Sequence, residues 1–211
     1  MKKADADRRK LGRPLSFEPA AVLHKAMLAF WRDGYESTSI ADLTAAMGVT
    51  APSLYAVFGN KKQLFLVALR LYAGDPAVLE RWMNAAPSAY EAVAEMLRQV
   101  AVLYTGETTP PGCLLANAAA STSADSVEVR QAVAGHRRAV RDIVVRRVEA
   151  DIRCGLLTSD TSACALGDFA VAVAQGMAMM ARDGAGRPAL LAIGDAAMRA
   201  WPATSSAKAT M

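Results

Sequence analysis

The sequence predicts an all-α protein. Apolar residues recur at intervals of three and four along most of the chain, which is the spacing of one face of an α-helix. No run of alternating apolar and polar residues predicts a strand, and no glycine-rich phosphate-binding loop is present. Hydrophobic residues make up 53% of the 211 residues and charged residues 21%, so the chain can build a sizeable core and is not of the disordered class.

The first predicted helix runs from about Ser16 to Gly34. Its apolar stripe has a period of 3.6 residues, and the aromatic members of the stripe are expected in the core. There they would hold two shorter helices that are too short to be stable alone. The stripe consists of Val22, Leu23, Ala26, Met27, Phe30 and Trp31.

Two short helices joined by a tight turn are predicted next, over residues 39–58. Thr38 or Ser39 can cap the first, which ends at Gly48. Thr50 can cap the second, and Pro52 falls in its first turn, where a missing N–H breaks no helical bond. This pattern predicts a helix-turn-helix.

The outer face of the second short helix consists of small or hydroxylated residues. Such a face can approach another surface closely and still donate hydrogen bonds, as a recognition helix does in the major groove of DNA. A third helix then begins at Asn60, with Lys61 and Lys62 at the positive end of its dipole. A DNA phosphate would offset this unfavourable placement of two cations.

The segment from about Phe17 to Tyr72 resembles the DNA-binding domain of the TetR family of transcriptional regulators. The resemblance rests on an amphipathic first helix, a G-Y-x-x-T-S-I turn over residues 34–40, M-G-V-T-x-x-S-L-Y over residues 47–55 and F-x-x-K-x-x-L-F over residues 58–65. It implies a homodimeric, ligand-released repressor of a palindromic double-stranded DNA operator. It also implies that Ala51, Pro52 and Ser53 face base edges, whereas Thr38, Ser39, Thr50, Tyr55, Asn60, Lys61 and Lys62 lie against the DNA backbone.

One residue departs from the family pattern. Val57 is aliphatic where some members carry a polar, base-contacting side chain. Few strong base-reading groups therefore remain on the helix, and specificity is expected to depend on contacts with thymine methyl groups, on an N-terminal arm or on DNA shape.

The distribution of charge agrees with a nucleic-acid partner. The net charge is +4, but residues 1–70 hold 11 Lys/Arg against 6 Asp/Glu, a balance of +5, and the remainder holds 13 against 14, a balance of −1. Residues 1–15 form a predicted flexible basic arm. Phosphate or minor-groove contacts are expected from Arg8, Arg9, Lys10 and Arg13, with a solvated tail as the alternative.

The chain is therefore divided into a helix-turn-helix domain at residues 16–74 and a helical effector-binding and dimerisation domain at residues 75–203, with a disordered tail at 204–211. The connector is the interruption at Gly74-Asp75-Pro76. In the family that the chain resembles, ligand binding moves the helix before this connector. Helices are predicted over residues 88–104, 112–121, 126–154, 161–181 and 189–201.

The run from Cys164 to Ala181 is apolar but contains Asp168 and Gln175, so no membrane span is expected. Its small residues favour close packing with the last helix and with a second copy, because a dimer reads two half-sites about 34–36 Å apart. A buried intrachain helix pair is the alternative. The expected dimer residues are Phe169, Val173, Gly176, Met177, Met180 and Met198.

A small-molecule effector cavity is expected between the central helices, with apolar walls and a few polar groups. Ordinary core packing is the alternative for each candidate, and Cys113 could instead sense thiol-reactive compounds. An inward-pointing arginine from the series on the long helix would favour an anionic effector. The candidate lining residues are Trp82, Met83, Met96, Tyr104, Cys113, Leu114 and Asn117.

Enzymatic patterns are missing from the sequence. His24 and His136 have no Cys, Asp or Glu set at metal-ligand spacing, and neither a nucleophile elbow nor a metalloprotease motif occurs. No catalytic residue, metal or cofactor is therefore predicted. Three scattered cysteines and the lack of an apolar stretch in residues 1–13 favour the cytoplasm. The rival interpretation is an all-helical small-molecule-binding or catalytic protein whose helix-turn-helix is only structural.

Overall fold

The computed structural model describes residues 18–121 and 126–202, and these residues are all-α, as predicted. Within them, ten helices follow one another without a strand. Their bounds are α1 Pro19–Asp33, α2 Ile40–Met47, α3 Ala51–Phe58, α4 Lys61–Ala73, α5 Pro76–Ala85, α6 Ala89–Tyr104, α7 Leu114–Ser121, α8 Val127–Arg153, α9 Ala163–Arg182 and α10 Arg187–Arg199.

Helices α1 to α4 surround an aromatic core. The ring of Phe30 meets the ring of Phe65 edge to face at 5.1 Å, and Trp31 meets Tyr72 in the same way at 4.8 Å. Leu54, the innermost residue of α3, is fully buried in this core. The two short helices are therefore stabilised by α1 and α4 rather than by their own length.

Local capping sets where these helices begin. The Ser39 hydroxyl accepts a hydrogen bond from the Asp42 amide at 3.1 Å, and the Asp42 carboxylate accepts one from the Ser39 amide at 2.9 Å. This reciprocal capping box starts α2. Thr50 caps α3 and Asn60 caps α4, as the sequence predicted.

Helix α5 was not predicted. Asp75 caps it by accepting a hydrogen bond from the Ala77 amide at 2.9 Å, and Pro76 is its first residue. The Gly74-Asp75-Pro76 interruption therefore both ends α4 and begins a new helix. Of the ten residues of α5, only Met83 is buried, which explains why its apolar pattern is weak.

The remaining helices pack around a second core formed by α5, α6, α8, α9 and α10. Helix α8 packs most extensively against α9. A Cβ atom at Gly167 would lie 2.6 Å from the Val145 side chain and 3.1 Å from the Arg141 carbonyl oxygen, so only glycine permits this close crossing. The α8/α9 pair is the main frame of the C-terminal region.

A buried ion pair fastens the turn between α5 and α6 to α8. Arg147 donates to the Asp151 carboxylate and, at 3.1 Å, to the carbonyl of Ala86. Asp151 also accepts a 2.6 Å hydrogen bond from the Ala89 amide. Arg147 can be buried because its charge is matched by Asp151 one turn away on the same helix.

The N-terminal core does not end at residue 74. Leu114 and Ala118 of α7 and Val129 and Val133 of α8 are buried against α1 and α4. The Asn117 amide of α7 also donates to the Trp31 carbonyl at 2.5 Å. The two regions are therefore joined by a continuous apolar contact as well as by the α4–α5 connector.

Candidate nucleic-acid interface and small-molecule cavity

Helices α2 and α3 form a helix-turn-helix. The chain bends by 92° between them, across the three residues from Gly48 to Thr50. Gly48 has a φ of 72°, a left-handed conformation that ends α2 at little cost for glycine. With Leu54 buried, α3 turns its opposite side to solvent.

The predicted base-facing residues lie on this solvent side. Pro52 is exposed, whereas Ala51 and Ser53 are half-buried. The Ser53 hydroxyl lies 2.9 Å from that of Thr50, so the two hydroxyls share a hydrogen bond at the start of the helix. Tyr55 has 47% of its surface exposed. The side chains of this face are therefore small or hydroxylated, and they are accessible to another molecule.

Thr38 does not belong to this surface. It is 1% exposed, and its hydroxyl donates to the Gly34 carbonyl at 2.5 Å. This burial corrects the expectation that the Thr38 side chain lies against the DNA backbone. Ser39, the next residue, is exposed and is the actual helix cap.

Lys61 and Lys62 are both engaged with other parts of the chain. The Lys61 ammonium donates to the Glu36 carbonyl at 3.1 Å and lies 4.7 Å from the Tyr35 ring centre. Burial lowers the pKa of Lys61. Lys62 pairs instead with the Glu128 carboxylate of α8 at 2.8 Å. Asn60 is exposed beside them.

A polar contact from α8 also reaches the loop before α2. The Ser126 hydroxyl donates to the Glu36 carboxylate at 2.6 Å. The sequence analysis did not predict these roles for Glu36 and Glu128, because their partners lie 90 and 66 positions away.

The predicted basic-arm residues Arg8, Arg9, Lys10 and Arg13 lie outside the described residues.

A cavity of about 290 Å³ lies between α4, α5, α6, α8 and α9. Three of the predicted effector residues line it: Met96, Tyr104 and Cys113. Its other lining residues are Tyr72, Ala73, Pro76, Leu79, Val100, Leu103, Leu115, His136, Arg137, Ala139, Val140, Ile143, Val171, Ala174 and Gln175.

The other four predicted effector residues lie elsewhere. Trp82 is 39% exposed on α5, and Met83 is fully buried in the C-terminal core. Leu114 is part of the N-terminal core, and Asn117 bonds to Trp31 while bordering a separate hollow beside Cys113. Their apolar or amphipathic character could not distinguish packing from cavity lining.

Two tyrosines and a cysteine form the polar group at one part of the cavity wall. The Tyr72 hydroxyl donates to the Cys113 sulfur at 3.3 Å. Burial, and then the neighbouring thiol, raise the pKa of Tyr72 and of Tyr104, so both phenols stay protonated. A protonated phenol can donate one hydrogen bond to a ligand, for which Tyr72 would have to give up its bond to Cys113.

A second polar group in the cavity wall consists of His136 and Arg137 of α8 and Gln175 of α9. The sequence analysis did not predict that these residues line the cavity. The signal was present, because positions 136 and 137 lie three and four residues after buried Val133 and before Val140. Burial, and then cationic Arg70, lower the pKa of His136 below its ordinary value of 6.5. Its ring is therefore neutral at pH 7.

The predicted dimer residues divide into two groups. Met177 and Met198 are buried within the chain, at 0% and 5% exposure, and cannot contact a partner without repacking. Phe169 and Val173 are half-buried, whereas Gly176 and Met180 are exposed on α9. The expectation is thus corrected for Met177 and Met198, whose side chains are buried in the C-terminal core.

Two family models match this chain. Residues 22–68 match the model of bacterial regulatory proteins of the tetR family, and residues 89–189 match the tetracyclin repressor-like C-terminal domain. The chain belongs to the TetR family.

Individual relatives align with most of this chain. The HTH-type transcriptional repressor ComR of Escherichia coli K12 is 33% identical over 194 residues, covering 90% of this chain and 92% of ComR. The repressor BdcR of the same strain is 27% identical, covering 82% and 83%. A cysteine variant of the TetR-family regulator CifR, solved with 26-bp double-stranded operator DNA, is 38% identical with a TM-score of 0.85, covering 90% of this chain and all of CifR.

These findings confirm the fold and the family. The protein is a DNA-binding transcriptional regulator with an N-terminal helix-turn-helix and a C-terminal helical domain.

Proposed function

We propose that this regulator is a homodimeric repressor that a small molecule releases from a palindromic operator. One observation supports the proposal above the others: α4 reaches both sites. Its N-terminus carries Asn60, Lys61 and Lys62 beside the helix-turn-helix, and Tyr72 near its C-terminus lines the cavity. A ligand that displaces Tyr72 would move the same rigid helix that positions α3.

In the proposed complex α3 enters the major groove. Ala51, Pro52 and Ser53 face base edges, and the hydroxyls of Ser39, Thr50 and Tyr55 lie against phosphates together with the Asn60 amide. Their exposure and the cap geometry at three helix N-termini support this arrangement. Residues 8–13 supply additional phosphate or minor-groove contacts.

The two lysines take different roles in this proposal. Lys61 supports the loop before α2 from inside, because its ammonium is bonded to the Glu36 carbonyl. Lys62 is the phosphate ligand, since its ion pair with Glu128 joins two partly exposed side chains and is exchangeable for a phosphate.

The dimer is proposed to form through the outer faces of α9 and α10. Only 28% of the apolar 18-residue window of α9 is buried within one chain. Its uncovered side contains Ala172, Gly176, Met179 and Met180, and nothing lies within 4 Å of a Cβ atom built at Gly176. Helix α10 adds the exposed alanines Ala189, Ala192 and Ala196, and exposed Ala200 follows directly after its last residue. Small side chains allow the two pairs of helices to approach closely.

Helix α9 is also long and apolar enough to cross a membrane by length and composition. We assign its exposed side to a second copy because its other side is built into the core through Gly167, Ala170, Ala174 and Met177. Leaving this core for a bilayer would uncover α6, α8 and α10. We therefore propose a cytoplasmic protein that does not bind membranes.

The dimer is tested by Gly176→Arg, which places a long cation in the proposed interface. Sedimentation analysis should show a monomer, and operator affinity should fall by at least tenfold because the two half-sites are no longer bound together. Ala85→Arg, which adds the same charge at the exposed end of α5, is the matched control and should remain dimeric. Dimeric Gly176→Arg protein with normal operator binding would exclude this interface.

The repressor function is tested by selecting bound sequences from random duplex DNA at near-physiological salt. We expect a palindrome with half-sites about 34–36 Å apart, one turn of DNA, or a multiple of that spacing. Ser53→Ala should reduce discrimination between sites without unfolding the protein. If the folded protein enriches no sequence with or without metabolite fractions, the rival function of an all-helical binding or catalytic protein is favoured.

A further inference from the structure

We propose that the effector is a small organic monoanion, an apolar body that carries one carboxylate, and that Arg137 binds the carboxylate. The inference rests on the proposed function, in which the cavity between α4 and α9 is the effector site. It adds the chemical class of the ligand and the residue that selects it.

The size of the cavity limits the ligand. At about 290 Å³ the cavity lies near the lower end of the range for small-molecule sites, which is roughly 300–1,000 Å³. Most of its wall is aliphatic, from residues such as Leu79, Val100, Leu103, Val140 and Ile143. The body of the ligand must therefore be compact and apolar.

The charges around the cavity are one-sided. Among the described residues that line it, Arg137 is a cation and none is an Asp or a Glu. His136 is kept neutral by burial, and cationic Arg70 adds to the positive field at its ring. A partly buried guanidinium beside apolar side chains gains most from a carboxylate that takes two of its N–H groups.

Arg137 also lies where the cavity meets the protein surface. It lines, together with Val171 and Gln175, both the cavity and a groove between α8 and α9. The groove adds Arg138, Arg141 and Asp168. Asp168 is bonded to Arg141 at 2.6 Å, which leaves two uncompensated cations among these four charged groups. An anion is attracted to this entrance, and a cation is repelled from it.

The position of Arg137 lets one ligand contact both the charged entrance and the apolar interior of the cavity. Within residues 18–121 and 126–202, the side chain of Arg137 makes no hydrogen bond or ion pair, whereas that of Arg141, one turn later, is held by Asp142 and Asp168. The guanidinium of Arg137 is thus free to bind a carboxylate at the entrance. The apolar body then extends inward to Tyr72 of α4.

The test uses probes that share a ring and differ in charge: benzoate, benzamide and benzamidine. Calorimetry with the dimer in the absence of DNA should show benzoate binding at least tenfold more tightly than benzamide, with benzamidine the weakest. Phenylacetate and hexanoate, each with its amide, cover alternative apolar shapes. At least one of the three carboxylates should also release the operator.

Variants assign the selectivity to Arg137. Arg137→Gln should reduce carboxylate affinity about tenfold and leave amide affinity unchanged, whereas Arg137→Lys should retain much of the preference for the anion. Arg81→Gln, the same change at an exposed site on α5, is the matched control and should bind like the parent protein.

Three results would overturn the inference: equal binding of carboxylate and amide, no binding of any of the three carboxylates, or full carboxylate affinity in Arg137→Gln. Operator release by a neutral electrophile that requires Cys113, without release by any carboxylate, would also overturn it in favour of a thiol-reactive effector. Operator binding by the unliganded protein is measured separately, so a failure of the repressor function would be recognised independently of ligand charge.

Discussion

Lys61 and Lys62 are adjacent in the sequence, yet the fold gives them different environments. The ammonium of Lys61 is held by a backbone carbonyl and an aromatic ring within the N-terminal unit. Lys62 reaches a carboxylate on α8, and both members of that pair are substantially exposed. An exposed ion pair contributes little to folding, so Lys62 can exchange Glu128 for a phosphate at small cost.

Replacing each lysine by methionine should separate these roles. We expect Lys62→Met to weaken binding to all DNA sequences and to lower the slope of log K against log salt by about one phosphate contact. Lys61→Met should lower the melting temperature and leave that slope unchanged. Equal slopes for the parent and Lys62→Met would remove Lys62 from the interface, and a reduced slope for Lys61→Met would return Lys61 to it.

Thr38 offers a further test of burial against exposure. Thr38→Val removes a buried hydroxyl and leaves the Gly34 carbonyl without its partner, which should lower the free energy of unfolding by about 1–3 kcal/mol. The salt dependence of DNA binding should not change. Thr50→Val is the control, because it loses an exposed helix cap and should weaken DNA binding too. Chemical denaturation and fluorescence titration measure both quantities.

Residue-level predictions from the sequence succeeded where the interaction is local. Thr50 and Asn60 were identified as caps, and Ser39 as one of two candidates with Thr38, because a cap and its partner amide are two or three positions apart. Lys61 with Glu36, Lys62 with Glu128 and Asn117 with Trp31 join residues that are 25, 66 and 86 positions apart. Nothing in their local pattern identifies such partners.

At the scale of the elements, α9 has two different sides. One side is packed against α8 so closely that Gly167 has no room for a methyl group, and the other side leaves Gly176 in open space. The sequence analysis placed Gly176 among the expected dimer residues but made no assignment for Gly167, because its contact with α8 depends on tertiary packing. The two glycines lie nine positions apart on one helix and can be compared directly.

Gly167→Ala should be destabilising by about 1–3 kcal/mol, because the new methyl group overlaps the Val145 side chain and approaches the Arg141 carbonyl. This cost should exceed the gain of up to about 1 kcal/mol that alanine brings to a helix interior. Gly176→Ala has only that gain within one chain, so any loss of stability or of dimer affinity must come from the partner. Thermal unfolding at several protein concentrations distinguishes the two contributions.

If Gly167→Ala were as stable as the parent, the α8/α9 crossing would be looser than the structure shows. If Gly176→Ala stabilised the protein at every concentration without weakening the dimer, Gly176 would lie outside the closest part of the interface.

At the scale of the whole molecule, the two cores are continuous. Helix α7 contributes Leu114 and Ala118 to the N-terminal core, and Tyr72 packs against both cores. The sequence predicted the boundary at residue 74 from the glycine and proline that punctuate the chain. It could not predict that α7 and the start of α8 complete the core of the DNA-binding unit, because that contact depends on tertiary packing.

This continuity predicts a single cooperative unfolding transition for the chain. Leu54 is fully buried in the N-terminal core and Leu190 in the C-terminal core, so each can report on its own region. Leu54→Ala and Leu190→Ala should each lower the free energy of unfolding by about 2–5 kcal/mol, the usual cost of removing a buried leucine. Both should shift the same transition, with circular dichroism and tryptophan fluorescence changing together.

Independent domains would behave differently. Leu54→Ala would then shift an early transition that reports on Trp31, and Leu190→Ala would shift a second one that reports on Trp201. Two separable transitions would mean that the contacts of α7 and α8 with the N-terminal core contribute too little to couple the regions. In that case the α4 connector alone would have to transmit ligand binding to α3, whereas a single transition implies that α7 and α8 transmit it as well.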